Sequence, residues 1–289
     1  MATLDVPGAR LYYEVSGDGP ALLLLPGGGG DAAIFDTLTG PLAEHFTLIA
    51  LDPRGYSRSR LDGPAVDQRV EVQSEDARRL LDAVTPDRPA YVFGGSSGAI
   101  VGLDLLARQP ERVRRLVAHE PPCFAVLPDA SAQRAFVEEV HRLFREQGLA
   151  AASARFMEGI GGTLRPLPDP ASLPPRAAEM MTRLMNNAPI MMEHELRQFT
   201  SYVPDLAALG RVSDRLVLAA GRETRGHLPY RPAALLSERL GLGLVEFPGG
   251  HSFTDAPEEF AKQLIEVLTR SSQAPATSRI SSAETMGLP

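Results

Sequence analysis

Residues Ala90–Gly98 read AYVFGGSSG, and the reading of the whole chain grows out of them. Ala90–Phe93 is a short apolar run of the kind that forms a strand buried on both faces. Ser97–Gln109 has helical spacing and stops at Pro110, which cannot continue a helix. Between the two, Gly94-Gly95-Ser96-Ser97-Gly98 fits G-x-S-x-G in the strand–turn–helix setting that this pattern requires. So sharp a turn holds its serine in a strained conformation with the hydroxyl lifted above the sheet. The flanking glycines let strand and helix approach each other. The N–H of Ser97, at the helix N-terminus, can face a developing oxyanion. A flexible Gly/Ser loop or a phosphate nest is the rival explanation of the pentapeptide alone. The strand and helix around it favour Ser96 as a nucleophile.

Outward from this turn the same alternation repeats. Upstream, Arg10–Val15, Ala21–Leu25 and Thr47–Leu51 read as strands, and Phe35–Phe46 and Val72–Val84 as helices. Downstream, Val113–Ala118 is a further strand. Strands separated by helices imply βαβ units and a parallel sheet. The pattern changes after Pro121-Pro122. Ala132–Gln147, Ala150–Gly159, Pro175–Asn186 and Pro189–Tyr202 are helix candidates with no strand among them, divided by prolines that include Pro166, Pro168 and Pro174. The alternation resumes with strand Arg215–Ala220, helix Arg231–Leu240, strand Leu242–Phe247 and helix Pro257–Arg270. The expected organisation is an α/β core over residues 1–122 and 211–270, a helical cap over 123–210, and a disordered tail over 271–289.

Composition narrows the function. At 289 residues the chain suits one core with an insertion, and 44% hydrophobic residues are enough to build it. A net charge of −7 argues against nucleic acid as a partner. No apolar stretch reaches the length of a membrane span. The first ten residues lack the pattern of a signal peptide, so a cytoplasmic location is expected. Cys123 is the single cysteine, which excludes an internal disulfide and a cysteine-based zinc cluster. Lys262 is the single lysine, which removes nearly every candidate for a Schiff base or a phosphate-loop lysine.

A serine needs a base. Of His45, His119, His141, His194, His227 and His251, only His251 follows the last strand and a short loop, Pro248-Gly249-Gly250, and precedes the last helix. A second oxyanion donor is expected from Pro26–Gly30, after the first buried strand, with Gly28 favoured. Gly27, Gly29 and Ala32 also match a dinucleotide fingerprint, but the serine turn accounts for more of the chain. Two carboxylates compete to orient the histidine. Glu223 lies just past the Arg215–Ala220 strand, between Arg222 and Arg225, which suggests an exposed ion pair. Glu120 follows the Val113–Ala118 strand and is pinned by Pro121 and Pro122. Glu120 is favoured and Glu223 is the alternative.

On Gly95-Ser96-Ser97-Gly98-Ala99, His119-Glu120, Pro122, the Pro26–Gly30 loop, Asp52-Pro53-Arg54-Gly55, Ser57-Arg58-Ser59 and His251, the chain resembles the α/β-hydrolase superfamily. Within it, the chain is similar to the fungal zearalenone lactonases. That resemblance implies an α/β-hydrolase fold: a mostly parallel central sheet, helices on both faces and a helical cap inserted after the sixth strand. It implies Ser96 as nucleophile, Glu120 as acid, His251 as base and the N–H groups of Gly28 and Ser97 as oxyanion hole, with no cofactor and no metal. It covers the core motifs and not the cap. The lactonases carry a cap tryptophan against the substrate, and this chain has no tryptophan.

In the cap, Met180, Met181, Met185, Met191 and Met192 cluster, and adaptable methionines suit a broad apolar pocket. Ordinary helical core is the plainer explanation. Met191 and Met192 are the substrate-binding candidates. The expected activity is a cofactor-free serine hydrolase acting on a small apolar carboxylic ester or lactone, with no membrane partner; a homodimer is compatible with the sequence. The alternatives are a ligand receptor on the same scaffold with slow turnover, separable by steady-state assay, and a carbon–carbon hydrolase or perhydrolase, separable by product analysis.

Overall fold

A computed structural model describes residues 2–162 and 170–270. The expected tail over 271–289 and the punctuation at Pro166 and Pro168 lie outside the described residues. The chain forms a nine-stranded sheet: β1 (Ala2–Val6), β2 (Ala9–Ser16), β3 (Ala21–Leu25), β4 (Thr47–Leu51), β5 (Arg60–Leu61), β6 (Ala90–Gly95), β7 (Val113–His119), β8 (Leu216–Gly221) and β9 (Val245–Phe247). The order across it is β1-β2-β4-β3-β6-β7-β8-β9, with the two-residue β5 on β2. Pairing is parallel from β4 through β9, and antiparallel where β2 meets β1, β4 and β5. This is the expected mostly parallel sheet, and the antiparallel edge completes it.

The apolar strands explain why helices cover both faces. Leu23, Leu25 and Val92 point into one core layer, with Leu80, Leu103 and Leu106 from helices α2 (Val70–Val84) and α3 (Ser97–Arg108). Leu22, Leu24 and Phe93 point into the other, with Leu38 and Leu42 of α1 (Asp36–Ala43) and Phe260 and Leu264 of the last described helix (Pro257–Thr269). A strand with period two that is apolar at every position has to be buried twice.

Between β7 and β8 lie α4 (Ala130–Gln147), α5 (Leu149–Gly159), α6 (Pro175–Ile190), a π-helical turn (Met191–Glu195), α7 (Leu196–Thr200) and α8 (Leu206–Arg211). Not counting β5, β7 is the sixth strand. These helices pack around a separate apolar cluster, including Val137, Val140, Ala152 and Leu196, that Leu228 joins from beyond β8. Two expectations need correction here. The separate helix over Pro189–Tyr202 does not exist, because α6 runs through Pro189 into the π turn. Proline forfeits one backbone N–H, and a wider turn relaxes the ladder around it. In addition, the sequence pattern gives no sign of β1, β5 or α8. They are short, and β1 alternates exposed and half-buried residues at the sheet margin.

Candidate active site

The turn after β6 behaves as its composition demands. Ser96 has φ 53° and ψ −122°, a conformation that L residues avoid and that surrounding structure must impose. A Cβ on Gly94 would stand 2.3 Å from the Gly98 carbonyl oxygen, and one on Gly98 would stand 2.2 Å from the Leu25 carbonyl oxygen. Both positions need glycine because backbone passes backbone there. Across the turn lies the Pro26–Gly30 loop after β3, closed by the Gly30 N–H donating to the Gly27 carbonyl at 2.9 Å. Gly28 and Ser97 line a cavity of about 820 Å³ together with Ser96 and His251. Neither the Gly28 nor the Ser97 N–H has a hydrogen-bond partner among the described residues.

Glu120 sits one residue beyond β7, fully buried, with φ 48°. Its backbone N–H donates to the Ala219 carbonyl at 2.9 Å and so extends the pairing of β7 with β8. Oε1 accepts from the Gly221 N–H at 2.8 Å and from the Thr224 hydroxyl. Oε2 lies 2.5 Å from Nδ1 of His251. Burial alone would raise this carboxyl, but the hydrogen bonds from His251 and Thr224 and the charge of His251 hold it below the ordinary carboxylate range. His251, half-buried after Gly250, carries Nδ1 on the carboxylate, and the cavity it lines is shared with Ser96. Among the described residues no hydrogen bond joins Ser96 to His251. Contacts of this type tighten when substrate binds.

The two candidate acids separate cleanly. Glu223 is exposed at the cavity rim, and its N–H donates to the Gly249 carbonyl at 3.1 Å. The ion pair expected for Glu223 is corrected: Arg225 pairs with Glu246 instead, and Tyr230 also donates to Glu246, at 2.7 Å. The cap methionines separate as well. Met191 lines the cavity, whereas Met192 is buried in the cap cluster. Met185 is exposed.

His119, next to Glu120, is fully buried with both ring nitrogens unpartnered, its ring edge-on to Phe247 and Phe260. Burial pushes its imidazole down to about 4, against the pull of Glu120, so it is neutral at pH 7.

Several residues at the site carried no sequence signal. Asn187 of α6, buried, donates through Nδ2 to the Gly29 carbonyl at 2.9 Å and to the Ser57 hydroxyl at 2.8 Å, and its Oδ1 accepts from the Ser57 N–H at 2.9 Å. Arg183, one turn earlier, donates to Asp31 at 2.5 Å. Asp31 also accepts from Ser57 Oγ at 3.0 Å and from the Ala33 N–H at 2.9 Å. These bonds tie the cap to the Gly27–Gly30 loop. Tyr56 and Glu195 form a further buried pair, with the phenol donating to Oε2 at 2.5 Å. A lone Asn or Glu in a helical pattern reads as solvent-facing, and only the fold buries these two.

No helix among the described residues is long and apolar enough to cross a membrane. Among them there is also no grouping of side chains suited to hold a metal ion.

A strained serine between strand and helix, a glycine loop opposite and a carboxylate–histidine pair from later strand ends together define a class. The chain belongs to the α/β hydrolase fold family, whose model matches residues 20–165. An uncharacterized hydrolase of Bacillus subtilis, YraK, is 38% identical over 93% of this chain and 96% of its own length. The zearalenone hydrolase of Bionectria ochroleuca is 28% identical over 92% of this chain and 96% of its own. Among solved structures, a hydrolase from Pseudomonas aeruginosa superposes with a TM-score of 0.69 at 23% identity, covering 93% of this chain and 98% of the other.

Proposed function

We propose that the protein is a serine hydrolase that cleaves a carboxylic ester or lactone through an acyl-enzyme, with Ser96, His251 and Glu120 as its triad. The observation that carries this is the Glu120–His251 contact, which opens on a cavity shared with the strained Ser96. Nδ1 of His251 is occupied by the carboxylate, so Nε2 is the nitrogen left to take the serine proton. Ser96 Oγ then attacks the carbonyl, and the N–H groups of Gly28 and Ser97 receive the oxyanion. His251 next protonates the leaving alcohol and activates water against the acyl-enzyme. In a lactone, alcohol and acid stay in one molecule.

The substrate is apolar in this reading. Phe124, Phe156, Ile160, Leu196 and Phe199 line the cavity, whose volume suits a ligand of drug size. The relationship to the zearalenone hydrolase supports a lactone among the substrates. The test is turnover of p-nitrophenyl esters and a panel of macrolactones by the wild type and Ser96→Ala, with products identified. The wild type should release acid and alcohol, with an initial burst on the activated ester. Full turnover by Ser96→Ala would remove the proposal.

A further inference from the structure

The mechanism above leaves one buried acid of the same cavity unused. Glu195, at the end of the π turn, is 2% exposed and lines the cavity with Gly28, Ser96 and Ser97. Its two oxygens differ. Oε2 accepts from the Tyr56 hydroxyl at 2.5 Å, whereas Oε1 is buried without a hydrogen-bond partner. That oxygen is aimed at the glycine loop and stands beside the Ser97 hydroxyl, which favours the ionised form without completing a well-formed hydrogen bond to it. A Cβ on Gly28 would stand 2.7 Å from Glu195 Oε1 and 3.1 Å from the Ser97 hydroxyl oxygen. The same cap stripe places Met191 against Gly28 and Gly29, and the Cβ of Asn187 against Gly29. Oε1 thus stands beside both residues whose N–H groups are without a partner among the described residues.

We infer that the carboxyl group of Glu195, in its protonated form, is a third hydrogen-bond donor to the oxyanion, delivered by the cap. The inference rests on Ser96 being the nucleophile. Three physical arguments support it. Among the described residues no cation pairs with Glu195, and an unpaired buried carboxylate is strongly disfavoured. Burial raises this carboxyl above its ordinary range; the Ser97 and Tyr56 hydroxyls oppose that without cancelling it. Tyr56 is itself pushed well up by burial and by Glu195, so it keeps its proton and occupies Oε2 as a donor. The acid proton therefore belongs on Oε1, the oxygen facing the loop. A carboxylate there would repel the tetrahedral anion, whereas a neutral acid stabilises it. A carboxylic acid kept neutral by an apolar site is known to serve in this way elsewhere.

The experiment compares Glu195→Gln and Glu195→Leu in the full-length protein, with p-nitrophenyl hexanoate as substrate and butylboronic acid as a mimic of the tetrahedral anion. Glutamine keeps a donor in the same place and leucine keeps only the volume. Glu195→Leu should lose about 100-fold in kcat, within the range for a lost oxyanion donor, with KM little changed. Its affinity for the boronic acid should fall by a similar factor. Glu195→Gln should stay within about threefold of the wild type in both measurements. Wild-type kcat in Glu195→Leu overturns the inference. So does a folded Glu195→Gln as slow as Glu195→Leu, or one more than tenfold faster than the wild type. Where Glu195→Leu fails to fold, a folded Glu195→Gln more than about tenfold slower than the wild type overturns the inference by itself. Ser96→Ala run alongside separates the two proposals: if it keeps turnover, the nucleophile reading falls; if it is inactive while Glu195→Leu is not impaired, only the third donor falls.

Discussion

The hydroxyl of Thr224 donates to Oε1 of Glu120, joining the loop after β8 to the end of the neighbouring strand β7. In this fold the loop after β8 is a common place for the acid itself. Here it carries a threonine, and in the proposed triad that threonine orients the acid from the adjacent strand. Thr224→Val keeps the shape and removes the donor. The expected cost is about 1–2 kcal/mol of stability, with roughly a tenfold loss in kcat/KM. Thermal melting and ester hydrolysis measure the two effects, and unchanged values in both would deny Thr224 a role.

Glu120→Ala and Glu223→Ala should behave differently. Loss of the buried partner of His251 frees the imidazole to adopt the wrong tautomer, and kcat is expected to fall about 10³–10⁴-fold. Glu223 is exposed at the rim, and its removal should leave kcat within about threefold. Equal losses in the two variants would reopen the choice of acid.

Burial of His119 gives the protein an acid-side liability. Its imidazole titrates near 4 in the folded chain and near 6.5 when unfolded. Between those values the unfolded chain binds a proton that the folded chain does not. Stability from this residue is therefore intact above pH 6.5 and lost as pH falls toward 4. The whole loss is roughly 3 kcal/mol. His119→Leu should flatten denaturant-midpoint curves over that window. Glu120, held low, acts in the same direction below about pH 4.5, so some acid sensitivity should persist. A wild-type curve with no slope from pH 6.5 to 4 would contradict this account.

Asn187 satisfies three polar groups of the core from inside a cap helix. Asn187→Leu leaves the Gly29 carbonyl and the Ser57 N–H without partners, at a cost of about 2–3 kcal/mol. The Gly27–Gly30 loop should loosen with it. We expect kcat to fall more than KM rises, and faster hydrogen exchange at residues 27–30. Protection unchanged there would confine Asn187 to a structural role elsewhere.

Gly98→Ala brings a methyl group 2.2 Å from the Leu25 carbonyl oxygen. Neither backbone can retreat, since β3 and α3 are fixed by the core layers around them. Loss of soluble expression or a destabilisation above about 4 kcal/mol is expected. A normally stable Gly98→Ala variant would mean that the turn is looser than its backbone geometry indicates.

Much of this was legible in the chain. Ala21–Leu25, Thr47–Leu51 and Ala90–Phe93 are apolar at every position, and a strand of that composition admits only a sheet covered on both faces. Gly94, Ser96 and Gly98 are spaced for a turn that glycine-flanked serine makes, so Ser96 stands out from the sequence pattern. Glu120 could be preferred over Glu223 because a proline pair stiffens it. The cap was much less legible. Pro189 reads as a helix boundary, yet α6 runs through it to Ile190 before the π turn begins. Met191 and Met192 are adjacent in sequence and face different surroundings, one the cavity and the other the cap cluster.

By itself the sequence determined the layered α/β core, the turn bearing Ser96 and the short list of partners from which a base and an acid could come. Those features are local: they depend on periodicity, on glycine and on proline within a few residues. Tertiary packing alone brings Thr224 to Glu120, Asn187 to the Gly27–Gly30 loop and Glu195, stripped of water, to Gly28. Each of these joins segments far apart in the chain. Polar residues on cap helices look alike until packing decides which of them is withdrawn from solvent and what it then has to bond.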